Sequence, residues 1–309
     1  MKENIVMATR DNTAIVMAAE SGYAYDGYKS ENYNVFCSYK HIGLFLRCVR
    51  EIYFMIPFLP QTIWYDKKII SFNPKFIIIR DAIITKQYLV WLQRVFPNSQ
   101  INFVYENMVG RAKHIMPNQI PKGIRIWTYD SGDSETYLLN LTKTMAYFSS
   151  FIMPKGDVKY DVLFVGKDKG RGDWLIELEK YLNQKGYRTK FIITKDTKLS
   201  REKPYYKKEV PYSQIADWVS HSRCIINVSM PGQKGITVRD MESLFNKVKL
   251  ITTNESIKDV SFYNPRNIFI ITKENWGDIP NFLDDEYDDS ISIDLSLHSV
   301  DAVIRKLTC

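Results

Sequence analysis

The chain has 309 residues, 45% hydrophobic and 25% charged, with a formal net charge of +7. That length suits two domains that each bury a core, and the composition excludes disordered and fibrous classes. The basic balance favours an anionic partner. The charges are scattered, however, and the clusters Lys67-Lys68 and Lys207-Lys208 are short. No helix-turn-helix, RNA-recognition or zinc-finger pattern accompanies them, so no nucleic-acid partner is expected.

Cys37, Cys48, Cys224 and Cys309 form no CxxC pair, and His41, His114, His221 and His298 are dispersed. This argues against a metal cluster and against a triad. Sparse cysteine fits a reducing compartment, no signal peptide is evident, and no apolar run reaches the roughly 18 residues of a membrane span. A cytoplasmic protein is expected. The aromatic-rich composition fits either ordinary cores or pockets that stack sugars or bases.

Along the first half, Ala14-Ile15-Val16-Met17, Phe76-Ile77-Ile78-Ile79, Ile101-Asn102-Phe103-Val104-Tyr105 and Ile124-Arg125-Ile126-Trp127 read as strands. Leu89, Leu92, Gln93 and Phe96 share one side of an intervening helix. From Ile42 to Trp64 an apolar stretch is interrupted by Arg47, Arg50, Pro57 and Pro60. It reads either as a core helix with a proline-rich loop or as a surface helix on a membrane, with Arg47 and Arg50 near lipid head groups.

Breakers at Met153-Pro154-Lys155-Gly156 place a boundary between domains 1–153 and 154–309, with the last helix, about Ser299 to Leu307, open to either. Beyond it, Asp161–Gly166 is a strand, and a helix from about Asp173 carries Leu175, Leu178, Tyr181 and Leu182 and stops at Gly186. Next come strand Lys190–Ile193, a short helix with Ser213 as N-cap, strand Cys224–Val228, a glycine loop, a helix through Met241, Leu244 and Phe245, and strand Lys249–Thr252. Asp284-Asp285-Glu286 and Asp288-Asp289 read as a solvated loop. The alternation of strands and helices is that of an α/β protein with parallel sheets.

The run Pro231-Gly232-Gln233-Lys234-Gly235-Ile236-Thr237-Val238-Arg239-Asp240-Met241-Glu242 leaves a strand and opens a helix, where open α/β sheets bind ligands. Gly232 and Gly235 allow close backbone approach, and the N–H groups of Ile236, Thr237 and Val238 would face a phosphate. Thr237 can donate its hydroxyl, and the Arg239 fork can clamp a diphosphate. Glu242 would accept paired ribose hydroxyls. The competing local reading is a capped glycine turn with an Arg239–Glu242 pair.

From Val210 to Asn254 the order of elements resembles the donor region of retaining, family-4-like GT-B glycosyltransferases. The Gln-x-Gly-x-Thr-x-Arg-x-x-Glu variant, with Phe262-Tyr263-Asn264-Pro265, also resembles bacterial capsule and lipopolysaccharide biosynthesis proteins. The family's second glutamate, which holds the donor ribose, corresponds to Glu242. Its first falls at Lys234, a departure that leaves Gln233 as a neutral substitute.

The resemblance implies two Rossmann-like domains facing across a cleft, and a metal-independent, cofactor-free transfer of a sugar from a nucleoside-diphosphate donor. The acceptor would be a glycan or lipid-linked glycan at the inner membrane face, with peripheral membrane contact. Gly166, Lys169 and Arg171 would face the donor diphosphate beside Gln233, Gly235, Thr237 and Arg239, and Arg239 would also stabilise the departing charge. Glu20 would act as base or position the acceptor hydroxyl, and Asp130 would bind acceptor hydroxyls or cap the next helix. The absence of an Asp-x-Asp pattern fits a donor phosphate neutralised by basic residues. A GT-B-fold sugar-nucleotide epimerase and a non-catalytic GT-B-like binding subunit are the alternatives.

Overall fold

The computed structural model describes residues 10–18, 22–56, 58–80, 84–110, 115–197, 199–290 and 293–309. The chain forms two compact units, one of residues 1–143 with 300–309, the other of residues 144–299. The segment 144–153, grouped with the first half on the strength of the Pro-Gly breaker, belongs to the second unit. There Met145 N–H donates to Ile236 O at 3.1 Å and Thr144 bridges Ile236.

The first unit is built on β1 (Thr13–Met17), β2 (Asn34–Cys37), β3 (Phe76–Arg80), β4 (Gln100–Tyr105), β5 (Arg125–Thr128) and β6 (Asn140–Leu141). They pair in the order β2-β1-β3-β4-β5-β6, every pairing parallel. Helices α1 (Tyr23–Ser30), α2 (Leu44–Phe54), α3 (Lys86–Val95) and α4 (Ser131–Tyr137) connect them. Strands covered on both faces need continuous apolar runs, which is why Ile77, Ile78 and Ile79 are all buried. The short strands β2 and β6 carried no such run and were not anticipated.

Part of the aromatic content goes into this core. The Tyr65 ring centroid lies 4.8 Å from Tyr88 and 5.1 Å from Trp91, and Tyr39 joins the same cluster.

The second unit contains β7 (Tyr160–Lys167), β8 (Thr189–Thr194), β9 (Ser222–Asn227), β10 (Lys249–Thr252) and β11 (Ile268–Ile270). Their order is β11-β10-β9-β7-β8, again parallel throughout. Helices α5 (Gly172–Gln184), α6 (Tyr212–Ser220), α7 (Val238–Asn246) and α8 (Ile279–Asp284) accompany it. Leu175, Leu178 and Leu182 are fully buried on one stripe of α5, and Gly186, at φ 86, ends that helix as read from the sequence.

Helix α6 begins at Tyr212 after Pro211, without a side-chain cap, so Ser213 is inside the helix rather than its N-cap. The acidic stretch is exposed at Asp284, Asp285, Glu286 and Asp289. Asp288 is instead pinned, because its N–H donates to Asn267 Oδ1 at 2.7 Å and its carboxylate accepts from Asn264 Nδ2 at 3.1 Å.

Helix α9 (Val300–Thr308) belongs to the first unit. Its Asp301 accepts a forked pair from Arg10, at 2.8 and 2.9 Å, and the Tyr33 hydroxyl at 2.6 Å. Removing Asp301 takes the acceptor from the Tyr33 hydroxyl and leaves Arg10 the more distant Glu31, 3.8 Å away. Asp301→Ala should therefore lower the unfolding free energy of this unit by about 1–2 kcal/mol in urea titrations. An unchanged midpoint would mean that α9 is held by its apolar face alone.

Candidate functional site

In the second unit the chain moves to opposite sides of β7, since β8 pairs along one edge and β9 along the other. This is the position at which doubly wound sheets take ligands, outside the carboxyl ends of the strands. The loop leaving β7 runs through Lys167, Asp168, Lys169, Gly170 and Arg171 into α5. Lys169 and Gly170 are both left-handed, at φ 48 and 78, which turns the chain tightly enough to bring Arg171 back over its own strand. The Arg171 guanidinium lies 5.3 Å from the Phe164 ring centroid.

Gly166 leaves room for it. A Cβ there would meet Arg171 Nη2 at 3.2 Å and Phe164 Cζ at 3.1 Å. Burial first, and then repulsion from Arg239, bring the Arg171 pKa down to about 10, so it stays charged at neutral pH in a setting that disfavours the charge.

Asp168 holds this loop. Its buried carboxylate accepts the Tyr206 hydroxyl at 2.6 Å, Gly172 N–H at 2.8 Å, Lys203 Nζ at 3.1 Å and the Tyr205 hydroxyl at 3.2 Å. Burial alone would raise its pKa. The donors from Tyr206, Gly172 and Lys203 outweigh that and hold it at about 2. Gly172 is required by the same packing, because a Cβ would stand 2.9 Å from Asp168 Cγ and 2.5 Å from Tyr205 Oη. Asp196 fixes the other side, accepting Lys169 N–H at 2.8 Å.

The second arginine arrives from α7. Thr237 is its N-cap, with Oγ1 accepting Arg239 N–H at 3.2 Å, and Asp240 closes a capping box by accepting Thr237 N–H at 2.7 Å. Asn227, the last residue of β9, donates to Asp240 at 2.7 Å and to Thr237 Oγ1 at 3.2 Å, tying helix to strand. The Thr237 N–H, expected to face a phosphate, is therefore occupied within the helix, and Ile236 is buried.

Arg239 reaches across to β7, where Nη2 donates to Val165 O at 3.0 Å. Its Nη1 pairs with Glu242 Oε2, while the Tyr212 hydroxyl donates to Glu242 Oε1. Glu242 is 1% exposed, and burial pushes its carboxyl above the ordinary range against the opposing pull of Arg239 and Tyr212. The residue read as a ribose acceptor is thus placed behind Arg239, both oxygens engaged.

The structure therefore brings Gly166, Arg171 and Arg239 to one strand end, with Lys169 exposed at the tip of the same loop and Thr237 and Glu242 supporting Arg239. Gln233 and Gly235 shape the neighbouring loop: Gln233 Oε1 accepts Met230 N–H at 3.0 Å, and Gly235 O accepts from Asn254 Nδ2 at 3.2 Å. Lys234 is exposed.

In the first unit Asp130 is buried and caps α4, its Oδ1 accepting Asp133 N–H at 3.1 Å, which is the capping role rather than the sugar-binding one. Glu20 lies outside the described residues. Sequence reasoning missed Asp168, Asn227 and Asp240 as supporting residues. Of these, Asp240 carried a local signal, the Thr-x-x-Asp spacing of a capping box.

No family model and no curated protein matches the chain. Among solved structures it is similar to a protein from Listeria monocytogenes assigned as a UDP-N-acetylglucosamine 2-epimerase, with 9% identity and a TM-score of 0.44. The match covers 96% of this chain and 94% of that one.

Because the folded Asp168 carboxyl titrates below its unfolded value of about 3.9, its stabilisation is present above that pH and is lost as pH falls toward 2. Asp168→Asn should therefore cost about 1–2 kcal/mol at pH 7, with the gap from wild type closing between about pH 4 and pH 2. A gap independent of pH in denaturant titrations would contradict the ionic role.

Proposed function

We propose that the second unit binds a nucleoside-diphosphate sugar, with the diphosphate against Arg171 and Arg239 at the end of β7, and that the protein acts on the donor's anomeric C–O bond. The observation that carries this reading is the convergence of two guanidiniums on one strand end at the point where the strand order reverses. An isolated surface arginine needs no ligand, but like charges held together in a partly dehydrated site are relieved by a bound anion. When the anomeric bond breaks, its electron pair moves onto the diphosphate, and fixed cations there stabilise the transition state more than the ground state.

Two reactions share that step. In glycosyl transfer, an acceptor oxygen bonds to the anomeric carbon as the diphosphate departs, and the acceptor hydroxyl's proton passes to the departing diphosphate. With a surface-polysaccharide acceptor, this is the reading that the donor motif supports, while two Rossmann-like units suit either reaction. The second reading is sugar-nucleotide epimerisation at C2, which needs no acceptor. A base takes the C2 proton as the diphosphate leaves, and the diphosphate then re-adds at the anomeric carbon while a proton returns to C2 from the opposite face. It is favoured by the state of the two donor glutamates of the family-4-like pattern: Lys234 stands at one, and Glu242 is enclosed behind Arg239 at the other.

Incubation with a panel of nucleoside-diphosphate sugars, read by NMR, separates these outcomes. Release or transfer of the sugar supports the transferase and interconversion supports the epimerase. Saturable binding without turnover would mean a non-catalytic subunit. Arg171→Ala and Arg239→Gln should each lower kcat/KM by about 10²-fold. Glu242→Gln should weaken nucleotide binding about tenfold through loss of Arg239 placement, with the fold retained. Unchanged kinetics and affinity in all three variants would overturn the assignment.

A further inference from the structure

Helix α2 is turned inside out. Its Arg50 is 8% exposed, with the guanidinium carbon 4.8 Å from the Tyr39 ring centroid and 5.8 Å from that of Phe54, and Nη2 is 2.8 Å from Glu51. One of the two sequence readings had Arg50 beside lipid head groups; in the fold it faces inward, held by the two rings. The opposite face is apolar and open. Leu44, Phe45, Ile52 and Met55 are 74, 79, 63 and 79% exposed, and Phe58, beyond the helix, is exposed as well. The spacing of Leu44, Cys48, Ile52 and Met55 sets them on a single stripe. Scattered exposed apolar residues are ordinary, but a contiguous stripe of this kind marks an interaction surface.

The surroundings of the stripe are basic. Lys40, Arg47, Lys67 and Lys68 are exposed. The neighbouring acids are engaged, Glu51 with Arg50 and Asp66 with Lys68, whose N–H it accepts at 3.0 Å and whose ammonium lies 3.9 Å away. The lysines stand on the strip that α2 packs against: Lys40 N–H donates to Trp64 O at 2.9 Å, Tyr39 bridges Tyr65, and the Trp64 ring meets Tyr53 of α2 at 5.8 Å.

We propose that this face of the first unit docks on an anionic lipid surface. The apolar stripe sinks to the level of the acyl boundary, and the basic rim pairs with lipid phosphates. The helix has 11 residues. At about 16 Å it is too short to cross a bilayer and suited to lying in its plane. The rim carries the charge that complements such a surface. The inference is independent of the donor site, because lipid binding needs no nucleotide.

The helix supplies its own reporter. Cys48 is exposed on the stripe, whereas Cys37 and Cys224 are buried. With Cys309→Ser, a polarity-sensitive fluorophore attached at Cys48 should shift to the blue on adding vesicles with about 30 mol% phosphatidylglycerol in phosphatidylcholine, and much less with phosphatidylcholine alone. In flotation of the unlabelled full chain with the same vesicles, Phe45→Ser with Ile52→Ser should lower the bound fraction about tenfold or more. Lys67→Glu with Lys68→Glu should lower it most at low salt. All four positions are exposed, so thermal unfolding should match wild type.

Failure of the wild-type chain to float with anionic vesicles would overturn the proposal. So would flotation that ignores the apolar pair. Sedimentation showing a dimer that the apolar pair dissociates, without vesicle binding, would make the face a contact between copies and overturn it equally.

Discussion

The second unit is organised around an unfavourable pairing, two arginine side chains brought to the same end of β7. Coulomb repulsion and lost hydration both oppose that arrangement, as the lowered pKa of Arg171 records. It persists because each arginine has its own anchor. Glu242, braced by the Tyr212 hydroxyl, holds Arg239, and Asp168, braced by Lys203, Tyr205 and Tyr206, holds the loop that carries Arg171. Buried carboxylates are costly unless fully hydrogen-bonded, and these two are supplied with donors from several elements. The fold thus stabilises a concentration of positive charge that the sheet edge alone would not keep.

The same residues change how an anion would be recognised. A free helix N-terminus offers backbone N–H groups, whereas α7 closes its first turn with Asp240 and ties it to β9 through Asn227. The helix then serves as a rigid mount for Arg239 rather than as the phosphate cradle itself. On the proposed reading, recognition would pass to guanidinium groups, whose planar donors suit a diphosphate better than a single dipole does. Glu242 would then be a positioning residue, acting on the ligand through Arg239.

Much of this was legible in the sequence, for identifiable reasons. Buried parallel strands require apolar β-branched runs, so Phe76–Ile79 and Lys249–Thr252 could be read directly. Strand-loop-helix order placed Arg171 and Arg239 at carboxyl ends without any coordinates. What stayed hidden depends on partners distant in sequence: Asp168 meets Lys203 across 35 positions, and Glu242 meets Tyr212 across 30. The unit division escaped because a Pro-Gly breaker marks a local bend, while Thr144 and Met145, at the start of segment 144–153, pair with Ile236. The orientation of α2 was ambiguous for a different reason. With apolar residues on nearly every side, only the ring cluster that accepts Arg50 decides which face is outward.

The most direct measurement is a crystal structure of the chain with a bound nucleoside diphosphate. The account predicts diphosphate oxygens within about 3 Å of the guanidinium nitrogens of both Arg171 and Arg239, with Glu242 still enclosed against Arg239. A diphosphate bound away from the end of β7, or a ribose hydrogen-bonded to Glu242 with Arg239 released, would contradict it.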